Sequence, residues 1–193
     1  MEKNLILINR DEKLIFDFSP RANCTVISQM FFDSFGMLKT ALEYNSWIHE
    51  YRGIYSQKNI CNLDDLKNTE YLKIKFVRCP YDRAVSIYFF SVSLGYKESF
   101  ESFLENIINE KITDDRVIYH LQGQFKDYEN KVKFNEIVKC ENINNRVLFI
   151  NEKYKKNFKS DLKSSHWYKK HNKNRGEYIG NVEFQKTFTI KIT

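Results

Sequence analysis

The chain has 193 residues and a net charge of +6, with 42% hydrophobic and 29% charged residues, which fits a single globular domain spanning 1–193 and is too short for two domains of usual size. Abundant rings (16 Phe, 12 Tyr, 2 Trp) against only 6 Gly and 2 Pro exclude a disordered, collagen-like or Gly-rich chain and disfavour a turn-dense β-sandwich. The excess of Lys and Arg over Asp and Glu favours an anionic partner, although abundant Lys and Asn also follow from AT-rich codons.

In chain order, Asn4–Asn9 is a short apolar run and reads as a strand. Arg10–Lys13 is a turn, Leu14–Phe18 a second, buried strand, and Ser19–Cys24 a loop. From Thr25 to about Tyr44 the apolar residues Ile27, Met30, Phe31, Phe35, Leu38 and Leu42 follow a helical period. Thr25 can cap that helix, and Gly36 sits inside it. Asn45–Asn68 is polar and aromatic without a clear period. Tyr71–Val77 alternates as a strand, Arg78–Asp82 is a loop, and Pro80 suits the first turn of a helix running to about Leu94. Ser99–Glu110 is an amphipathic helix, Phe134–Lys139 a strand, and Asn142–Tyr154 a helix with Asn142 as its cap. Beyond Asp161 the chain is basic and poorly patterned until Phe184–Ile192. The order β-loop-α, β-loop-α, α, β-α predicts an α/β fold with a central parallel sheet under helical cover.

No apolar run approaches the ~20 residues of a spanning helix, and no secretory signal is visible, so a soluble, cytoplasmic protein is expected. The four cysteines (24, 61, 79, 140) are far apart and form no CxxC pair. They read as thiols rather than as a disulfide framework, and no metal site is expected.

Two turns share one layout: an apolar strand, a short loop with an arginine, then a helix. Backbone N–H groups and the positive end of a helix dipole converge there, which suits an anion. A chain with two such turns suits a ligand with phosphates at both ends. The first turn, Ser19-Pro20-Arg21-Ala22-Asn23-Cys24-Thr25, lacks GxxxxGK[ST] and GxGxxG, against a nucleotide-cleaving P-loop or a dinucleotide fold. The plain alternative is a capped core helix with a surface arginine. In the second, Arg78 leaves the strand end and Ser86 lies about two turns along the helix. Its plain alternative is an Arg–Asp surface pair.

The segment Lys75-Phe-Val-Arg-Cys-Pro-Tyr-Asp-Arg-Ala-Val-Ser-Ile-Tyr88 resembles the 3′-phosphate motif of carbohydrate sulfotransferases, roughly F-V-R-D-P-[YF]-x-R-x-x-S-x-Y. Pro20-Arg21-Ala22-Asn23-Cys24-Thr25 is similar to that family's 5′-phosphosulfate loop, roughly P-K-x-G-[CS]-T-[SN]. A weaker echo of H-x-x-x-Q…F-D-x-[IV]-x-x-x-E runs through His120, Gln124, Phe134 and Glu141. The resemblance covers about residues 14–158. It implies a three-layer α/β/α sulfotransferase fold related to P-loop NTPases, and 3′-phosphoadenosine 5′-phosphosulfate (PAPS) as sulfuryl donor to a carbohydrate or other hydroxyl acceptor. It also implies that Arg21, Ala22, Asn23, Cys24 and Thr25 hold the 5′-phosphosulfate, and that Arg78 and Ser86 hold the 3′-phosphate. Four positions depart from the pattern. Arg21 stands for Lys, Asn23 for Gly, Val26 for Ser or Asn, and Cys79 for Asp. Asn tolerates positive φ better than most residues, so the first loop can survive its missing glycine.

Sulfuryl transfer needs stabilisation of the leaving phosphate, assigned to Arg21, and a base for the acceptor hydroxyl. His49 leads as base because in this family the base often comes from the interval before the 3′ motif. His120 is second, and Glu43 and Glu50 are carboxylate alternatives. Either histidine could instead be a packed or surface ring. The segments 45–68 and 110–130 are the expected acceptor loops. The basic stretch 164–175, with Lys170 and Lys173, reads as a solvated loop or a lid over the donor. Two further functions stay open: a sulfotransferase-like nucleotide-binding module that has lost catalysis, and a basic binder of single-stranded nucleic acid. No motif supports the second, so nucleic acid is not expected as a partner.

Overall fold

The computed structural model describes residues 5–162, which form an α/β fold on a four-stranded, mostly parallel sheet. The strands β1 (Ile6–Asn9), β2 (Leu14–Phe18), β3 (Leu72–Val77) and β4 (Glu136–Lys139) lie side by side in that order. The expected parallel sheet needs one correction, because β1 pairs antiparallel with β2, Ile6 facing Asp17. The connection between them is only a tight turn, whose N–H groups at Asp11 and Glu12 donate to Asn9 Oδ1. A parallel pair needs a crossover of a dozen or more residues. The other two pairings are parallel, with Phe18 beside Phe76 and Val77 beside Lys139. The loops after β2, β3 and β4 therefore leave the same edge of the sheet.

The helices follow the apolar periods, with three departures. The helix expected over Thr25–Tyr44 is two, α1 (Cys24–Asp33) and α2 (Leu38–Tyr44). The break falls at Gly36, whose φ of 76° is left-handed and cheap only for glycine. The N-cap of α1 is Asn23, not Thr25, and its side chain makes no capping bond. The segment 45–68 is mostly helical, as α3 (Ile48–Lys58) and α4 (Leu63–Lys67). Next come α5 (Pro80–Ser93), which begins on Pro80, and α6 (Phe100–Ile108), capped by Ser99. The expected loop 110–130 contains α7 (Asp115–Leu121) and a short 3-10 turn at Asp127–Lys131. The last described helix is α8 (Ile143–Tyr154); Asn142 is its N-cap but makes no side-chain capping bond.

One face of the sheet carries Leu14, Phe16, Phe18, Ile74 and Phe76 into the main core, against Ile27, Met30 and Phe31 of α1 and Val147 and Ile150 of α8. Phe16 meets Phe31, Phe76 and Phe158 edge to face, with ring centroids 5.1–5.4 Å apart. Burying each such ring contributes roughly 1.5–3 kcal/mol. The other face holds Ile6, Ile8 and Ile15 against Cys61 and Leu66. A third cluster joins α5, α6 and α7 through Ile87, Tyr88, Phe103 and Val117.

The alternation of β3 is real, yet its polar side is buried too: Lys73 and Lys75 are 4% and 1% exposed. Lys73 Nζ donates to the carbonyls of Leu66 and Asn68. Lys75 pairs with Glu129 and lies 3.6 Å from Asp17, which also accepts from the Tyr128 hydroxyl at 2.9 Å. Buried charges persist only when paired in this way. Lys75 also donates to the carbonyl of Gln124 at 2.8 Å, and so ties the segment after α7 to the sheet beneath the site. No helix among the described residues is long and apolar enough to cross a membrane.

Candidate functional site

The first turn leaves β2 through Ser19 and Pro20 and passes two left-handed residues, Arg21 (φ 66°) and Asn23 (φ 54°), before α1 begins at Cys24. Each such residue costs about 1–2 kcal/mol unless it is glycine, with asparagine the milder case. Asn23 thus adopts the backbone expected of the missing glycine. Ala22 between them is buried. The Cys24 thiol donates to the carbonyl of Ser19 at 3.2 Å, which folds the loop back on itself.

The second turn is held from outside. The Arg78 N–H donates to Gln124 Oε1 at 2.8 Å, and Gln124 Nε2 donates to the Arg78 carbonyl at 2.7 Å. The Cys79 N–H donates to Glu141 Oε1 at 2.7 Å. Gln124 and Glu141, two residues of the weak third echo, therefore clamp the backbone of the strongest one.

Arginines tie the two turns together. Arg78 Nη1 donates to the Arg21 carbonyl at 3.0 Å. Arg21 donates to Ser86 Oγ at 3.1 Å and to the Ser86 carbonyl at 2.9 Å, and its guanidinium lies 5.3 Å from the centroid of the Phe90 ring. Arg83, buried on α5, donates to the carbonyls of Pro20, His120 and Gln122. One side chain thus fastens the first turn, helix α5 and the end of α7. Arg83 stood inside the quoted motif without a role; a buried arginine spanning three segments leaves no spacing signal.

Both candidate bases reach this crevice. His49 Nε2 is 3.0 Å from Thr25 Oγ1 in the first turn of α1, and its ring packs edge-on against Trp47. Burial pushes the His49 pKa down to about 3, assisted by the positive charges of Arg52 and Arg21. His120 stacks on Phe90 with centroids 4.4 Å apart. Its Nδ1 lies 2.7 Å from the Arg116 carbonyl. A carbonyl only accepts, so Nδ1 carries the proton and Nε2 keeps a lone pair. Burial again leads in lowering the His120 pKa to about 4, with Arg21, Arg83 and Arg52 adding to it against the Arg116 carbonyl. Both rings are neutral at pH 7. The carboxylate alternatives are exposed, Glu43 beside Lys39 and Glu50 in the first turn of α3.

All seven phosphate-loop residues and both histidines expected from the sequence therefore lie on the two turns or on helices α3, α5 and α7 packed around them. Sequence reasoning missed Arg52 of α3, because its helix was not recognised, and Phe90 of α5, which links Arg21 to His120. The stretch 164–175, with its lid and nucleic-acid readings, lies outside the described residues. No family model matches the chain, and no curated protein or solved structure matches it either.

Proposed function

We propose that the chain is a sulfotransferase that moves a sulfuryl group from PAPS to a hydroxyl of a carbohydrate acceptor, on a three-layer α/β/α fold of the sulfotransferase type. The observation that carries this reading is the convergence of three motif-like segments on one crevice. The turns after β2 and β3 meet through Arg21, Arg78 and Ser86, and Gln124 and Glu141 brace the second turn.

The residues present fit such a donor. The crevice gathers Arg21, Arg78 and Arg83, and the Glu141 carboxylate there accepts from the Cys79 backbone N–H. When bound, PAPS would supply an activated sulfuryl group with phosphates at both ends of a nucleoside. Backbone N–H groups of Asn23 and Cys24 and the Thr25 hydroxyl would hold the 5′ end, and Arg78 with Ser86 the 3′-phosphate. Arg21, lying between the loops, would add positive charge where the leaving phosphate collects negative charge. His49, beside Thr25, would take the acceptor proton, with His120 Nε2 as the second base. Negative charge next to either ring favours its protonated form, so anion binding raises a basicity that burial and arginines hold down.

The suppressed basicity of both rings favours one second reading, a nucleotide-binding module without catalysis. Transfer of sulfur-35 from PAPS to any member of a glycan panel decides between the two: radiolabelled product supports the enzyme, and its absence despite tight nucleotide binding supports the module. Calorimetric titration with phosphoadenosine phosphate tests what they share. Arg78→Ala should weaken binding about 10- to 100-fold, the scale of a lost charge-assisted bond. Unchanged affinity would exclude both.

A further inference from the structure

Arg52 lies one turn from His49 on α3, so the two side chains leave the same face of that helix. His49 reaches Thr25 and Arg52 reaches the Cys24 side chain, the first two residues of α1. The Arg52 guanidinium lies over Phe18, 5.7 Å from the ring centroid. Its Nη1 nitrogen is buried and has no hydrogen-bond partner. The groups that most favour its charge are Cys24 and Tyr119, neither of them a carboxylate, and burial lowers its pKa. A buried guanidinium N–H without an acceptor is costly, and guanidinium is the side chain best matched to a planar pair of oxyanion oxygens.

A second feature faces the same place. The ten-residue helix α1 begins there with no side-chain cap, so its first-turn N–H groups and positive dipole end are available to an anion. Arg21, which the motif places at this seat, is engaged with Ser86 and Phe90 on the other turn. We propose that Arg52 and the N-terminus of α1 together form the seat of a tetrahedral oxyanion, with Arg52 as the guanidinium that grips it alongside the charge Arg21 adds from between the loops. That the oxyanion is the phosphosulfate end of the donor rests on the sulfotransferase reading; the seat itself does not.

The test uses the full chain with two probes, inorganic sulfate and phosphoadenosine phosphate. Affinities are measured by calorimetry, and the His49 ring is followed by NMR. Sulfate should shift the His49 ring signals in the wild type. Arg52→Gln should weaken sulfate and nucleotide binding about tenfold or more, and Arg52→Lys should restore part of the sulfate affinity by restoring charge without the fork. If phosphoadenosine phosphate binds the wild type and a folded Arg52→Gln variant equally, the Arg52 seat is wrong and the sulfotransferase reading survives. If sulfate binding depends on Arg52 but the nucleotide does not bind, the seat stands and that reading falls. Should Arg52→Gln fail to fold, the wild type alone still decides: His49 signals unmoved by saturating sulfate and by the nucleotide overturn the proposal.

Discussion

The turn after β2 and the turn after β3 do the same structural job by opposite means. The first is shaped from within: two left-handed residues, Arg21 and Asn23, bend it, and the Cys24 thiol closes it onto Ser19. The second is shaped from outside. Its backbone is gripped by Gln124 and Glu141, and Pro80 fixes the start of α5. An internally bent loop keeps its strain local and its helix N-terminus open, whereas a gripped loop depends on segments far along the chain. The difference teaches that the pattern closer to a known motif is also the more dependent on its surroundings.

Removing the fastener between the two turns should break the comparison most severely. Arg83→Ala leaves the carbonyls of Pro20, His120 and Gln122 without their donor, and should cost roughly 3 kcal/mol or more of unfolding free energy. Chemical denaturation measures it; a loss under about 1 kcal/mol would mean the turns hold without each other.

Acid should act next. Both His49 and His120 have folded pKa values, about 3 and about 4, below that of a free imidazole. The unfolded chain therefore binds more protons in this range, and the stability due to neutral rings is full above pH ~6.5. It is lost as pH falls toward the folded values, by up to about 1.4 kcal/mol per pH unit for each ring. Thermal melts from pH 7 to 4.5 should show the decline, and His49→Asn should flatten it. A slope identical in that variant would place the linkage elsewhere.

The smallest effect separates the two ways of shaping a loop. Asn23→Gly should be nearly neutral and Asn23→Ala should destabilise by about 1 kcal/mol, because only a residue tolerant of positive φ suits the first turn. Equal stabilities for the two variants would contradict the internal-strain account.

The sequence shows some of this plainly. The strands β2 and β3 and the helix α5 follow from apolar runs, Pro80 and the change of period. The antiparallel β1 hides behind a turn whose shortness carries the information. The helix α3 escaped because tyrosines rather than aliphatic residues build its inner face: Ile48 is buried, and Tyr51 and Tyr55 pack against the core. With α3 unrecognised, Arg52 had no place in the site. Thr25 was legible as a residue of the first turn but not in its role, since it meets His49 across space rather than capping its own helix. Long-range bonds such as Gln124 to Arg78, 46 residues apart, have no local signature.

The central claim is that two anion-holding turns act on one ligand. The most direct measurement compares phosphoadenosine phosphate with adenosine 5′-monophosphate, which lacks the 3′-phosphate, by calorimetry on the same protein. The two-turn account predicts at least about tenfold tighter binding of the bisphosphate, with the advantage lost in Arg78→Ala. Equal affinity for the two nucleotides, or an advantage that survives loss of Arg78, would contradict it.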